Sequence, residues 1–246
     1  MTIALTVLAL AAYGYFFKGD FGRLSELAAL QPPGWRRRRY RLWIAKSWLL
    51  FAGPALIALV LLGRFGAVVA VPAAFAAPAL AVGYPAPVGD IAVELAIGLA
   101  IGSMIGGGWS IWRGRRGRMP AMLGDFSTLL PHDRSEALLA ALTAITAGIT
   151  EELYFRLAVP LLIADLTGSA WLGIGVATVM FALAHRYQRW IGVVATGLIG
   201  LLFAFFYLQS GALWLAMLAH ATIDLNGLVI RPALAGMLRR KPDLSS

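Results

Sequence analysis

From Leu42 to Ile230 the chain runs through seven apolar stretches: Leu42–Leu62, Phe65–Val82, Ile91–Trp112, Ala137–Ile163, Ser169–Tyr187, Trp190–Leu208 and Gly211–Ile230. A shorter one, Thr2–Phe17, precedes them. Each of the seven is close to the ~20 residues that a helix needs to cross a hydrocarbon core. Nothing else in the chain constrains the fold as strongly. Lipid offers the backbone no hydrogen-bond partner, so only helices and closed barrels satisfy it internally. The stretches are continuous and rich in Leu and Ala rather than alternating, which points to helices and not to a barrel. With 60% hydrophobic and 13% charged residues, against about half and a quarter in soluble proteins, no soluble domain is expected. The fold class is therefore all-α: a polytopic transmembrane helical bundle of about seven or eight spans. Pro72 and Pro78 interrupt Phe65–Val82, so this is the stretch that need not cross.

Charge is concentrated beside these stretches. The net charge is +9, yet the basic residues gather at Arg36–Arg39, Arg113–Arg118 and Arg239–Lys241, next to apolar segments. That is the pattern of topology anchors that stay in the cytoplasm, and no nucleic-acid partner is implied. The basic loops and the C-terminus are expected to be cytoplasmic. Placing both the Arg36 and the Arg113 loops there requires an even number of crossings between them. The Gly98–Gly102 and Gly102–Gly106 spacings would permit close helix packing. There are no cysteines, so disulfides and thiolate metal sites are excluded.

Against this background Thr150–Pro160 stands out, because it carries Glu151, Glu152 and Arg156 inside an apolar segment, in a chain with only twelve acidic residues. A charge at mid-bilayer costs at least ~2.5–3.5 kcal/mol, so adjacent carboxylates imply a purpose. Glu152 and Arg156 stand four apart with the acid first, the favourable order for an ion pair. Glu151 is rotated by ~100° from Glu152 and faces other neighbours. Pro160 has no N–H for the Arg156 carbonyl, which predicts a kink just beyond the acidic pair. Two later segments carry Phe181-x-x-x-His185 and His220-x-x-x-Asp224. Asp224, four residues on, is expected to hold the His220 ring in one tautomer. His132 lies in a polar loop and is set aside. Counted from the turns at Ala164–Gly168 and Gln209–Ser210 at ~1.5 Å per residue, Glu151, His185 and His220 lie roughly 18, 24 and 14 Å deep. Tilts of about 20° absorb such differences, so the three helices are able to share one cavity.

Glu151-Glu152-x-x-x-Arg156, Phe181-x-x-x-His185 and His220-x-x-x-Asp224, in this order on successive apolar segments, resemble the CAAX-processing and bacteriocin-processing (CPBP, or Abi) intramembrane endopeptidases, of the type II CAAX prenyl endopeptidase kind. The resemblance covers about residues 136–230. It implies a four-helix catalytic core in the C-terminal half and hydrolysis of a peptide bond in a membrane-associated peptide or protein. By the same resemblance Glu151 is the general base, helped by His185, while His220 and residue 224 stabilise the oxyanion. Glu152 and Arg156 hold the first helix and tune its charge. The family pattern has Asn or Asp at position 224. An ionised Asp accepts hydrogen bonds and does not donate them, so Asp224 is expected to act by keeping His220 protonated.

Two His and a Glu could also form a three-ligand zinc site. The chain has no His-Glu-x-x-His helix, and the resemblance favours a glutamate mechanism with no cofactor. Two other classes use the same polar residues: a proton-coupled transporter, and a non-catalytic membrane scaffold or immunity protein. The expected organisation is residues 1–135 as N-terminal spans and basic loops, 136–230 as the catalytic membrane core, and 231–246 as a short basic tail. Three lysines against eighteen arginines suggest a bacterial source, hence the inner cell membrane.

Overall fold

The computed structural model describes residues 1–18, 34–120 and 129–239. Pro32 and Pro33 of the first polar loop, and the basic tail from Arg240 onward, lie outside the described residues. Among the described residues there is no strand. The long helices are α1 (Thr2–Phe17), α2 (Trp35–Leu61), α3 (Val88–Arg115), α4 (Arg134–Thr167), α5 (Ala170–Ala184), α6 (Arg189–Ser210) and α7 (Leu213–Leu234). Five of them, all but α1 and α5, are long and apolar enough to cross a membrane. The molecule is a helical membrane bundle.

Phe65–Val82 does not form a spanning helix. It folds into turns at Phe65–Val68 and Ala73–Phe75 and a short helix at Ala76–Ala81. Pro72 caps the second turn and Pro78 sits inside the short helix, each removing a backbone donor. Phe75, fully buried, anchors the segment edge-on against Tyr207 of α6 at 6.5 Å. Only α2 and α3 are therefore left as long helices between the Arg36 and Arg113 clusters, an even number.

The ends of the helices are matched in pairs. Arg36 and Arg37 at the start of α2 bond Glu136 at 2.9 Å and Asp133 at 2.7 Å at the start of α4. Arg64, beyond the end of α2, bonds Asp165 near the end of α4 at 2.6 Å. The two helices thus run parallel. The exposed Arg37–Asp133 pair is worth at most about 1 kcal/mol, but together the pairs fix which ends share a face. Asp133 also caps α4, accepting from the Glu136 N–H at 2.8 Å. Gly168 and Gly211, both with φ of +74°, close α4 and α6 in the left-handed conformation that glycine adopts without a Cβ clash.

α4 occupies the middle. A Cβ on its Gly148 would lie 2.7 Å from the Met217 carbonyl oxygen of α7, so the two backbones touch there. Close approach through a small residue is how helices gain packing energy in lipid. α1 is pinned to both neighbours by tyrosine hydroxyls: Tyr154 of α4 donates to the Ala9 carbonyl at 2.7 Å, and its own Tyr13 donates to the Met180 carbonyl of α5 at 2.9 Å. The expected glycine stripe of α3 is only partly used. Gly98 and Gly102 meet nothing, whereas Gly106, Gly107 and Gly114 press on Arg231, Leu234 and Ala235. α3 joins the bundle at both ends: Ile91 and Leu95 near its start are buried in the core, and its second half meets the end of α7.

Candidate active site

The centre of α4 is set by Pro160. Pro160 disturbs the helix just beyond the acidic pair, as the sequence suggested: over Leu153–Ala158 it widens into a π turn. Val159 N–H bonds the Tyr154 carbonyl, five residues back. The same device precedes Pro54, over Trp48–Ala52, and Pro232, over Asn226–Ile230. Proline cannot donate to the carbonyl four residues earlier and its ring crowds that carbonyl; one wider turn relieves both defects. Such turns recur at functional sites. Here it turns all of Leu153–Ala158, Arg156 included, into the protein interior.

Glu152 has no exposed surface; one oxygen is hydrogen-bonded and the other takes part only in an ion pair. Oε1 lies 2.7 Å from His220 Nδ1, and Oε2 lies 3.1 Å from Arg156 Nε. The i, i+4 ion pair expected from the sequence is present. Its extension to His220, which lies 68 positions along the chain, had no local signal. Beyond this ion pair none of the three Arg156 guanidinium nitrogens has a hydrogen-bond partner among the described residues. It lies against aromatic faces instead, 4.1 Å from the Phe181 ring centre and 5.6 Å from that of Phe203. Cation–π attraction of this kind strengthens when the cation is desolvated. Gly200 of α6 makes room: a Cβ there would lie 2.9 Å from the Phe181 ring.

His220 stacks on Phe203 at 5.4 Å and meets Phe181 edge-on at 5.7 Å. Its Nε2 is 3.5 Å from Asp224 Oδ2. The expected pairing of Asp224 with His220 is thus present as an i, i+4 ion pair, and Glu152 takes the other ring nitrogen at shorter range. Asp224 faces Nε2 from beyond good hydrogen-bond distance, leaving that N–H direction open to a further acceptor.

His185 ends α5. Its backbone N–H turns to the Ala182 carbonyl at 3.0 Å, and its ring Nδ1 takes the Phe181 carbonyl at 2.9 Å. The side chain thus replaces its own backbone as donor, a histidine form of C-terminal capping. Because a carbonyl only accepts, Nδ1 carries the proton and Nε2 is left as the acceptor in the neutral ring. Phe181 contacts the His185 ring at 4.9 Å, so it touches Arg156, His185 and His220 together.

Glu151, on the adjacent face of α4, lines a cavity of about 250 Å³ together with His185, His220 and Asp224. Its Oε2 is buried and has no hydrogen-bond partner among the described residues. The two neighbouring glutamates are thus unlike: Glu152 is fully buried and ion-paired with Arg156 and His220, while Glu151 is half-buried on the cavity wall and its buried Oε2 faces no charged partner within ion-pair distance among the described residues. Trp43, Tyr187 and Arg231 complete the wall, and no motif in the sequence marks them. His132 is outside, with Nδ1 3.0 Å from Arg36 Nη2. Among the described residues no group of three His, Asp or Glu gathers closely enough to hold a metal ion.

Residues 133–226 match the model of the family described as Type II CAAX prenyl endopeptidase Rce1-like. The match spans less than half of the chain, contains all six candidate site residues and is consistent with the CPBP family. It suggests a protease acting on a membrane-associated protein. No curated protein and no solved structure matches the chain.

Proposed function

We propose that this protein is an intramembrane endopeptidase in which Glu151 activates the attacking water. The observation that carries the proposal is the spare, buried carboxylate oxygen of Glu151 on the cavity wall shared with His185, His220 and Asp224. A water between Glu151 and the acceptor nitrogen of His185 loses a proton to the carboxylate as its oxygen attacks the scissile carbonyl carbon. The carbonyl oxygen takes up the electron pair and accepts from His220 Nε2–H. Glu152 and Arg156 keep His220 in place through its other nitrogen, so they are positioning residues. Collapse of the tetrahedral intermediate breaks the C–N bond, and the proton held by Glu151 passes to the leaving amine. A base of this kind supplies about 10²–10⁴ in rate, and one oxyanion donor about 10²–10³.

The cavity reaches Trp43, near the start of α2, and Arg231, at the end of α7. These ends share the face of the Arg36 and Arg113 clusters, so the substrate enters from the cytoplasmic side of a cell membrane. The test is cleavage of quenched-fluorescent peptides, prenylated and unmodified, by the purified protein in detergent, with and without a chelator. Wild type is expected to cleave at a rate the chelator leaves unchanged. Glu151→Gln should cleave at about 1% of that rate or less while unfolding at the same temperature. Near wild-type cleavage by Glu151→Gln removes the proposed base.

A further inference from the structure

Arg231 stands at the end of the last apolar segment, where a topology anchor would extend outward to water and lipid headgroups. It does the opposite. Its Nε donates to Asn226 Oδ1 at 2.7 Å, and Asn226 itself is buried. Its guanidinium lies flat against α3 at Gly106, where any added Cβ would collide with it. Half-buried in this seat, it lines the same cavity as Glu151, His220 and Asp224. It makes no ion pair with a carboxylate among the described residues. Of the five N–H donors of a guanidinium, one is spent on Asn226 and the forked pair remains. That fork matches the two oxygens of a carboxylate in spacing and in plane.

We propose that Arg231 is a specificity-determining residue that binds a carboxylate of the substrate peptide, either its C-terminus or an acidic side chain. The proposal rests on the protease reading for its substrate class. The spacing along α7 sets the register. Asp224 and His220 precede Arg231 by seven and eleven residues, roughly 10 and 16 Å of helix at ~1.5 Å per residue. An extended peptide covers ~3.3–3.6 Å per residue. The carboxylate therefore lies about four to five residues from the bond held at His220. A lipid phosphate is the less suitable occupant, because α3 covers one side of the guanidinium at Gly106 and Arg231 lines the same cavity as Glu151 and His220.

The experiment uses the full chain in phosphatidylcholine nanodiscs and fluorescein-labelled farnesylated peptides in matched sets. One pair differs only in a free or amidated C-terminus. The others carry Asp or Asn at single positions. Affinity is measured in the Glu151→Gln background, so that peptide is not consumed, and cleavage in the wild-type background. One carboxylate peptide is expected to bind about tenfold or more tightly than its neutral twin, the scale of a charge-assisted pair. Which pair responds tells a terminal carboxylate from an acidic side chain. Arg231→Gln should erase the preference. Gly106→Ala should weaken it as well, since it keeps the charge and favours the helix but displaces the fork. Both variants should keep the thermal stability of the parent. Binding preference without any cleavage would overturn the protease reading and leave the carboxylate site standing. Equal binding of charged and neutral twins, or no peptide binding, would overturn the carboxylate site. So would an Arg231→Gln effect seen only on adding phosphatidylglycerol to the discs, which would assign Arg231 to a lipid headgroup.

Discussion

Glu152 carries a prediction about stability that separates it from its neighbour. In Glu152→Gln the side chain keeps its size but has one carbonyl oxygen and one NH2 in place of two acceptors. His220 Nδ1 at 2.7 Å and Arg156 Nε at 3.1 Å both need an acceptor, and glutamine serves only one of them. Whichever it serves, its NH2 then faces the other donor. Arg156 is 2% exposed, so water does not replace the lost partner. Breaking a buried ion pair by removing one side costs about 3–5 kcal/mol. At ~2–4 °C per kcal/mol for a chain of this size, the unfolding midpoint should fall on the order of 10 °C. The assay is thermal unfolding of the detergent-solubilised protein, followed by intrinsic fluorescence, beside cleavage rate. Glu152→Gln should lose both stability and activity. Glu151→Gln, whose Oε2 has no partner to abandon, should lose activity alone. Removing the cation as well, in Glu152→Gln/Arg156→Met, should recover most of the midpoint, because methionine packs between Phe181 and Phe203 without a charge to satisfy. The activity should stay low. A Glu152→Gln protein that melts within about 2 °C of wild type would refute the buried-pair reasoning.

Further predictions concern α4, its first turn and the orientation in the membrane. Pro160→Ala supplies the missing N–H to the Arg156 carbonyl and removes the need for the π turn; cleavage should fall by at least tenfold with no loss of thermal stability, on the scale of ~1 kcal/mol gained from the restored bond. Unchanged cleavage would mean the wide turn does not set the glutamates. Arg36 donates to His132 Nδ1, which requires a neutral ring, and burial followed by the Arg36 charge holds the His132 pKa below the ordinary 6.5. The unfolded chain therefore takes up this proton first, so the contribution is complete above pH 6.5 and is lost as pH falls through and below that value. Between pH 7.5 and 5.5 wild type should lose more of its melting temperature than His132→Gln does; parallel losses would remove His132 as the cause. Because the chain has no cysteine, Arg118→Cys is a clean topology probe. On intact cells it should resist an impermeant maleimide and react only after permeabilisation, whereas labelling from outside would reverse the orientation.

Much of the outline was legible because it depends on local spacing. Continuous apolar runs in lipid have only the helix as a solution, so the helical bundle follows from Leu42–Ile230 without any partner being known. Residue spacing also sets angle: Glu151 and Glu152 had to face different neighbours, and Arg156 had to come back over Glu152. Pro160 had to disturb the helix, although whether by a kink or a wider turn depended on the packing around Tyr154 and Arg156. What sequence spacing leaves open is which helix stands opposite. That Glu152 takes His220 before Asp224 does follows from the contact of α4 with α7 at Gly148, a long-range event with no local signal. The same holds for Gly98 and Gly102, which face nothing although Ile91 and Leu95 of the same helix are buried in the core. It holds for Phe65–Val82, which rests on Tyr207 rather than crossing, and for Arg231, which reads as an anchor in the sequence and turns inward because Asn226 and Gly106 form its seat. Local periodicity determines where a side chain points on its own helix; only the packing of the helices against one another decides what it meets.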